Sequence, residues 1–222
     1  MDPEPLGEVE TQSPSGGWAQ EEATVYTRQT TIRQAHDIDG SLAYWRDHFP
    51  FLSAQHGFRG LTISADREGS LIALTSNWAT KEDLDASETA VANRRGEQLR
   101  ITGGLMTVEA FELATEAIAR PPLPGNLLVV TRASMDPACV HGQIARFERE
   151  LMPAITARCG FSFLRLLTNR DLGSLVLGIV WQDALSLKKH MEAAKREREV
   201  AYMQGVRIDE VSSRQILFVH VD

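Results

Sequence analysis

The chain has 222 residues, 43% hydrophobic and 24% charged, with 16 Gly, 9 Pro and 2 Cys. That is room for one large domain or two of about 100 residues, and it excludes collagen-like and low-complexity classes. Two cysteines, Cys139 and Cys159, allow neither a disulfide framework nor a four-cysteine zinc site, and both read as buried small residues.

The longest apolar run, at 175–181, is strand-sized and short of the roughly 18 residues a membrane helix needs. The opening residues lack the basic start and apolar stretch of a signal peptide, so the expected compartment is the cytoplasm. The formal charge of −7 is concentrated in residues 1–22, which hold Asp2, Glu4, Glu8, Glu10, Glu21 and Glu22 and no Lys or Arg. This acidic tail is expected to be disordered, because it has too little apolar surface to offset chain ordering. The remainder is close to neutral, which argues against nucleic acid as a partner.

From residue 23 the predicted elements come in order. Residues 23–33 form a β-rich opening. Leu42, Trp45, Phe49 and Leu52 then recur at helical spacing, with Pro50 expected to kink or restart the helix and Gly57 to cap its end. Strands at 58–65 and 70–78 flank a turn at 66–69, a polar helix capped by Thr80 covers 80–97, and a last strand covers 106–113. The stiff segment 120–125 separates this set from a second one. There, a strand at 126–134 precedes a helix marked by Ile144, Phe147, Leu151 and Ile155, again with a proline (Pro153) and a glycine cap (Gly160). Strands at 161–168 and 174–181, a helix at 183–203 behind Asp183, and a strand at 214–221 complete it.

The two sets align. A shift of 103 positions lays residues 46–78 on 149–181 without a gap, with nine identities in 33 positions, including Gly57/Gly160, Phe58/Phe161 and Trp78/Trp181. Chance predicts roughly two. Allowing one residue of slippage upstream, Thr27-Arg28 aligns with Thr131-Arg132. The expected fold is therefore α+β: two tandem ferredoxin-like βαββαβ repeats, 23–119 and 126–222, packed sheet to sheet within one chain. Such a chain is a monomer with an internal pseudo-dimer, or a homodimer of it.

The helix-ending Gly-Phe pairs, the two strands after each, and the strand-ending Trp78 and Trp181 before an acidic helix start together resemble the antibiotic-biosynthesis-monooxygenase-like (ABM-like) superfamily of dimeric α+β barrels. The resemblance implies a cavity able to hold a small apolar or aromatic molecule. It also implies a candidate activity, cofactor-independent oxygenation of phenolic or quinol-type substrates. Haem-degrading relatives resemble one another in an Asn on the first strand and in a Trp and a His on the later helix. Here Thr27 and Thr131, Ser87 and His190, and Gly96 and Glu199 stand at those positions, so the haem branch does not fit. No paired-His, CxxC or GxGxxG motif appears, and the expectation is no metal, no cofactor and no membrane.

Strand alternation assigns Ile72, Leu74, Ser76 and Trp78 to the helix-facing side, and Ala73, Thr75 and Asn77 to the space between the sheets. Thr62, Ser64, Thr75, Asn77 and Trp78 are the candidate pocket-lining residues, with Asn77 as an oxyanion donor. The competing reading makes the polar four ordinary solvent-facing positions and Trp78 a core plug. His56 is either a helix-end cap or a general base, and His190, beside Lys188 and Lys189, reads as solvated. Arg28 and Arg132 either hold an anion or cap a sheet edge. Three roles stay open: a monooxygenase, a non-catalytic small-molecule-binding or stress-related barrel, and a barrel filled by its own side chains.

Overall fold

The β-rich residues 26–33 form strand β1 (Tyr26–Arg33), the first element of a computed structural model that describes residues 25–221. The acidic tail at 1–22 lies outside the described residues. Helix α1 (Ile38–Ser53) starts at Asp37, whose carboxylate accepts the Gly40 N–H at 2.7 Å. It runs unbroken through Pro50, which lies in the final turn and removes only one backbone bond. Gly57 then turns the chain at φ +72°, in the left-handed region open to glycine. Strands β2 (Phe58–Asp66) and β3 (Leu71–Trp78), helix α2 (Lys81–Thr102) and strand β4 (Leu105–Ile118) follow.

The order of elements then recurs. Strand β5 (Leu127–Ser134) leads to helix α3 (Val140–Arg146), a π turn (Phe147–Leu151) and helix α4 (Met152–Thr156). Here the helix does restart, with Pro153 in the first turn of α4, where its missing N–H is harmless. Strands β6 (Phe161–Asn169) and β7 (Ser174–Trp181), helix α5 (Ala184–Met203) and strand β8 (Arg207–Val221) complete it. Thr80 and Asp183 cap α2 and α5 as their sequence positions predict.

The eight strands among the described residues form one closed antiparallel barrel in the order β1-β3-β2-β8-β5-β7-β6-β4. Closure depends on the two longest strands. β4 pairs with β1 up to Glu112 and from there with β6. β8 pairs first with β5, up to Gln215, and then with β2. Both strands exceed their predicted lengths. Residues 114–118 and 207–213 carry little β-typical composition and are extended because two neighbouring strands offer them partners.

Helices cover the outside of the barrel at two places. Under α1 and α2, Trp45, Leu52, Ile63, Ile72, Leu74 and Trp78 pack together; under α3–α5, Val129, Ile144, Ile155, Leu164 and Trp181 do. Trp78 and Trp181 are fully buried and act as core plugs. The register also corrects one alignment. Tyr26 lies opposite Trp78 and Leu127 opposite Trp181, so the counterpart of Arg28 is Val129, not Arg132. The one-residue slippage adopted upstream runs the wrong way, because short strands with little identity leave register free.

Replacing Trp78 by Ala would remove a ring that packs edge-on against Phe58. The expected loss is about 3–5 kcal/mol, measured as the shift in the urea unfolding midpoint at unchanged slope.

Candidate functional site

The barrel interior is occupied by side chains. Asn77 points inward, where its amide oxygen accepts from Thr27 Oγ1 at 3.0 Å and from Arg165 Nη1 at 2.9 Å. Arg165 comes from β6 on the far side and also binds Glu116. Arg132 crosses in the same way to Gln29, at 2.7 Å, and to Glu109. Beside these struts Phe111, Val130, Leu167 and Val176 form a small apolar cluster. Thr62 stands opposite Thr75 in the wall, and Ser64 opposite Ala73. Trp78 points the other way, into the helix-covered core.

The apolar cavity lies elsewhere. About 310 Å³ opens between the outer face of β5–β8 and helices α3–α5, lined by Phe147, Leu151, Ile155, Leu166, Leu177 and Ala194 among others. None of Thr62, Ser64, Thr75, Asn77, Trp78 or His56 lines it. It is on the outer side of the sheet and in the second half of the chain, whereas strand alternation pointed to the space between sheets and to the first half. The cause is how the two helix layers fill. In the first half, Trp45 plugs the layer, Gln98 donates to Ser41 at 2.7 Å, and Tyr44 donates to Glu97 at 2.5 Å. In the second half the sequence counterparts are smaller or more polar: half-buried Glu148 for Trp45 and Ala194 for Val91. The π turn interrupts the helix there, and α3 meets α5 through Gln143 and the Gln204 carbonyl at 3.4 Å.

Arg146, Arg196, Glu197, Arg198, Thr131, Gln143 and Gln204 also line the cavity, and His190 is the buried titratable group among its lining residues. His190, on α5, is 4% exposed and stacks on Trp181 with centroids 4.8 Å apart. Its predicted solvation was wrong: Lys188 and Lys189 face outward, and the helix turns the imidazole in. Arg158, just after α4, donates from Nη1 to His190 Nδ1 at 2.7 Å and pairs through Nη2 with Glu197. A guanidinium can only donate, so Nδ1 accepts and the neutral ring carries its proton on Nε2. Burial above all, then the charges of Arg158 and Arg198, bring the imidazole from its ordinary value near 6.5 to about 4. The site thus offers a neutral hydrogen-bond donor in an apolar chamber.

The other candidates take structural positions. His56 is exposed and bonds Asp83 at 2.6 Å, beside the start of α2. Arg28 is buried on the helix side, where it donates to Ser87 Oγ at 2.8 Å and to the Leu84 carbonyl at 2.5 Å and lies over the Trp78 ring. Cys139 and Cys159 are exposed, not buried. Among the described residues no group of three or more His, Cys, Asp or Glu is placed to hold a metal, and no helix is long and apolar enough to cross a membrane. Of the haem-branch positions, Ser87 is held by Arg28, and Gly96 and Glu199 are exposed.

This arrangement has structural relatives. A candidate monooxygenase of Fusobacterium nucleatum superposes with a TM-score of 0.67 at 13% identity, covering 90% of this chain and 96% of that one. An anthrone oxidase-like protein gives 0.66 at 15% identity, covering 90% and 94%. A ferredoxin-fold protein of Listeria monocytogenes, related to antibiotic biosynthesis monooxygenases, gives 0.50 at 8% identity, covering 86% and 95%. The fold is one that the chain shares with these proteins. In sequence, the barrel is 27% identical over 190 residues to the uncharacterized protein Rv2557 of Mycobacterium tuberculosis, covering 84% of this chain and 85% of that one. No family model matches the chain.

The depressed His190 value has a stability consequence. The unfolded chain binds a proton near pH 6.5 that the folded one resists until about pH 4. Stability is therefore full above pH 6.5 and falls as pH drops towards 4, by roughly 3 kcal/mol. Urea titrations of the wild type and His190→Phe at pH 7 and pH 4.5 should show this acid loss shrinking in the variant.

Proposed function

We propose that the barrel is a cofactor-independent monooxygenase-like enzyme that oxidises a small phenolic or quinol-type molecule, held in the chamber under α3–α5. The observation that carries this reading is the buried neutral imidazole of His190, set beside the apolar side chains Phe147, Leu151, Ile155, Leu166 and Leu177 of the chamber. The resemblance in fold to an anthrone oxidase-like protein and to a candidate monooxygenase supports it. In this reading 23–119 and 126–222 are tandem ferredoxin-like units, of which the second keeps a binding chamber.

The chemistry asked of the protein is modest. A phenol or anthrone-type carbon acid reacts with oxygen once it is held as its anion away from water. The Nε2–H of His190 donates to the developing oxyanion, while Arg158 fixes the tautomer from behind. Phe147, Leu151, Leu166 and Leu177 hold the ring and exclude solvent. For a CH₂ centre of the anthrone type, one atom of O₂ becomes the new carbonyl oxygen. The other leaves as hydroxide with one of the two hydrogens and becomes water with the proton that the substrate gave up to solvent in forming the anion, since Nδ1 of His190 accepts from Arg158 and Nε2 carries a proton. The substrate supplies all four electrons, so no external reductant enters.

Oxygen uptake should appear when the protein, incubated anaerobically with a panel of hydroquinones and anthrones, is exposed to oxygen. His190→Ala should lower kcat by about 100-fold, the scale of losing one oxyanion donor. Ala194→Phe, which fills the chamber, should abolish binding. No uptake with any member of the panel overturns the enzymatic reading. If native mass spectrometry then showed a retained ligand, the barrel would be a non-catalytic carrier.

A further inference from the structure

The structure assigns a second binding site, independent of the helix-side chamber: an oxyanion site at one mouth of the barrel, for the carboxylate or phosphate group of a small molecule. An open concavity of about 500 Å³ is lined there by Thr31, Arg33, Thr107, Val108, Glu109 and Arg132. These residues come from β1, β4 and β5, so the site exists only because the barrel closes.

Two observations point to an anion as the ligand. The first is charge. Arg33 pairs with Glu210 and Arg132 with Glu109, so both nearby carboxylates are taken. Behind them, Arg214 is 3% exposed and donates from Nε to Ser212 at 3.1 Å. Its Nη2 makes no hydrogen bond and lies 3.9 Å from the Glu210 oxygen that also accepts from Arg33 Nη1 at 3.4 Å. Burial lowers its pKa to about 10, which still leaves it charged at neutral pH. Asp66 acts from further off, with one carboxylate oxygen bound to the Gly69 N–H. Three guanidiniums, Arg33, Arg132 and the buried Arg214, thus share the two carboxylates Glu210 and Glu109, an excess of positive charge in low dielectric that a further anion would offset.

The second observation is an orphan hydroxyl. Thr31 is 2% exposed, its Oγ1 has no hydrogen-bond partner, and it lies in the wall of this concavity. A buried hydroxyl without a partner is unfavourable. An oxyanion lodged between Arg33 and Arg132 gives it an acceptor, and guanidinium forks suit planar or tetrahedral oxygen arrays.

Calorimetric titration of the full chain with sodium phosphate and, separately, sodium acetate tests this, against sodium chloride at matched ionic strength. Saturable binding of either oxyanion, absent with chloride, is expected, and the tighter of the two identifies the headgroup. Thr31→Val removes only the orphan hydroxyl, so it should leave the melting temperature unchanged or raised while weakening binding about tenfold. Arg33→Gln, at a partly exposed position, should weaken it at least as much. His190→Phe should leave it intact, which separates this site from the chamber. The assignment is overturned if neither oxyanion binds beyond chloride, or if Thr31→Val and Arg33→Gln bind as the wild type does.

Discussion

Everything in this molecule depends on two strands having partners on both sides. A four-stranded sheet has two edges whose N–H and C=O groups need pairing, and one face that needs cover. β4 and β8 meet both needs by running past the end of their own half and into the other. That closes the barrel, turns the bare faces inward and leaves the helix-covered faces outside. The position of every candidate site follows from it: the chamber is outside the wall, under helices, and the arginine-rich mouth is inside.

The two helix-covered faces begin from the same plan and end with different chemistry. Over Trp78 lies the guanidinium of Arg28, bonded to Ser87. Over Trp181 lies the imidazole of His190, which occupies the Ser87 position, while Val129 replaces Arg28. The first arrangement fills its space with a cation and its acceptors. The second leaves an aromatic plate, a neutral donor and unfilled volume. Trp45 against Glu148 and Val91 against Ala194 push in the same direction, one face solid and the other hollow.

Much of the architecture was legible because it rests on local signals. The caps at Thr80 and Asp183, the turns at Gly57 and Gly160 and the alternation of Ile72, Leu74 and Trp78 each follow from a residue's own conformational preference or from burial on one face. The chamber was not legible, because a void is set by what several distant residues fail to fill. No residue marks it alone, and His190 looks solvated beside two lysines. The signal that could have found it was the 103-residue alignment, read at the helix positions for loss of volume instead of at the strands for polarity. The extra length of β4 and β8 was hidden for a related reason: residues 114–118 and 207–213 are strands only because partners exist far away in the chain.

The exchange of strand ends also sets the order in which the molecule can be finished. β2 is made early, yet one of its edges finds its partner only in the second part of β8. Until that segment has left the ribosome, the growing polypeptide carries an open hydrogen-bonding margin flanked by apolar residues, a surface prone to self-association. Contacts spanning so much chain are slow to form. Release of that last segment therefore sets the earliest moment at which the barrel can close.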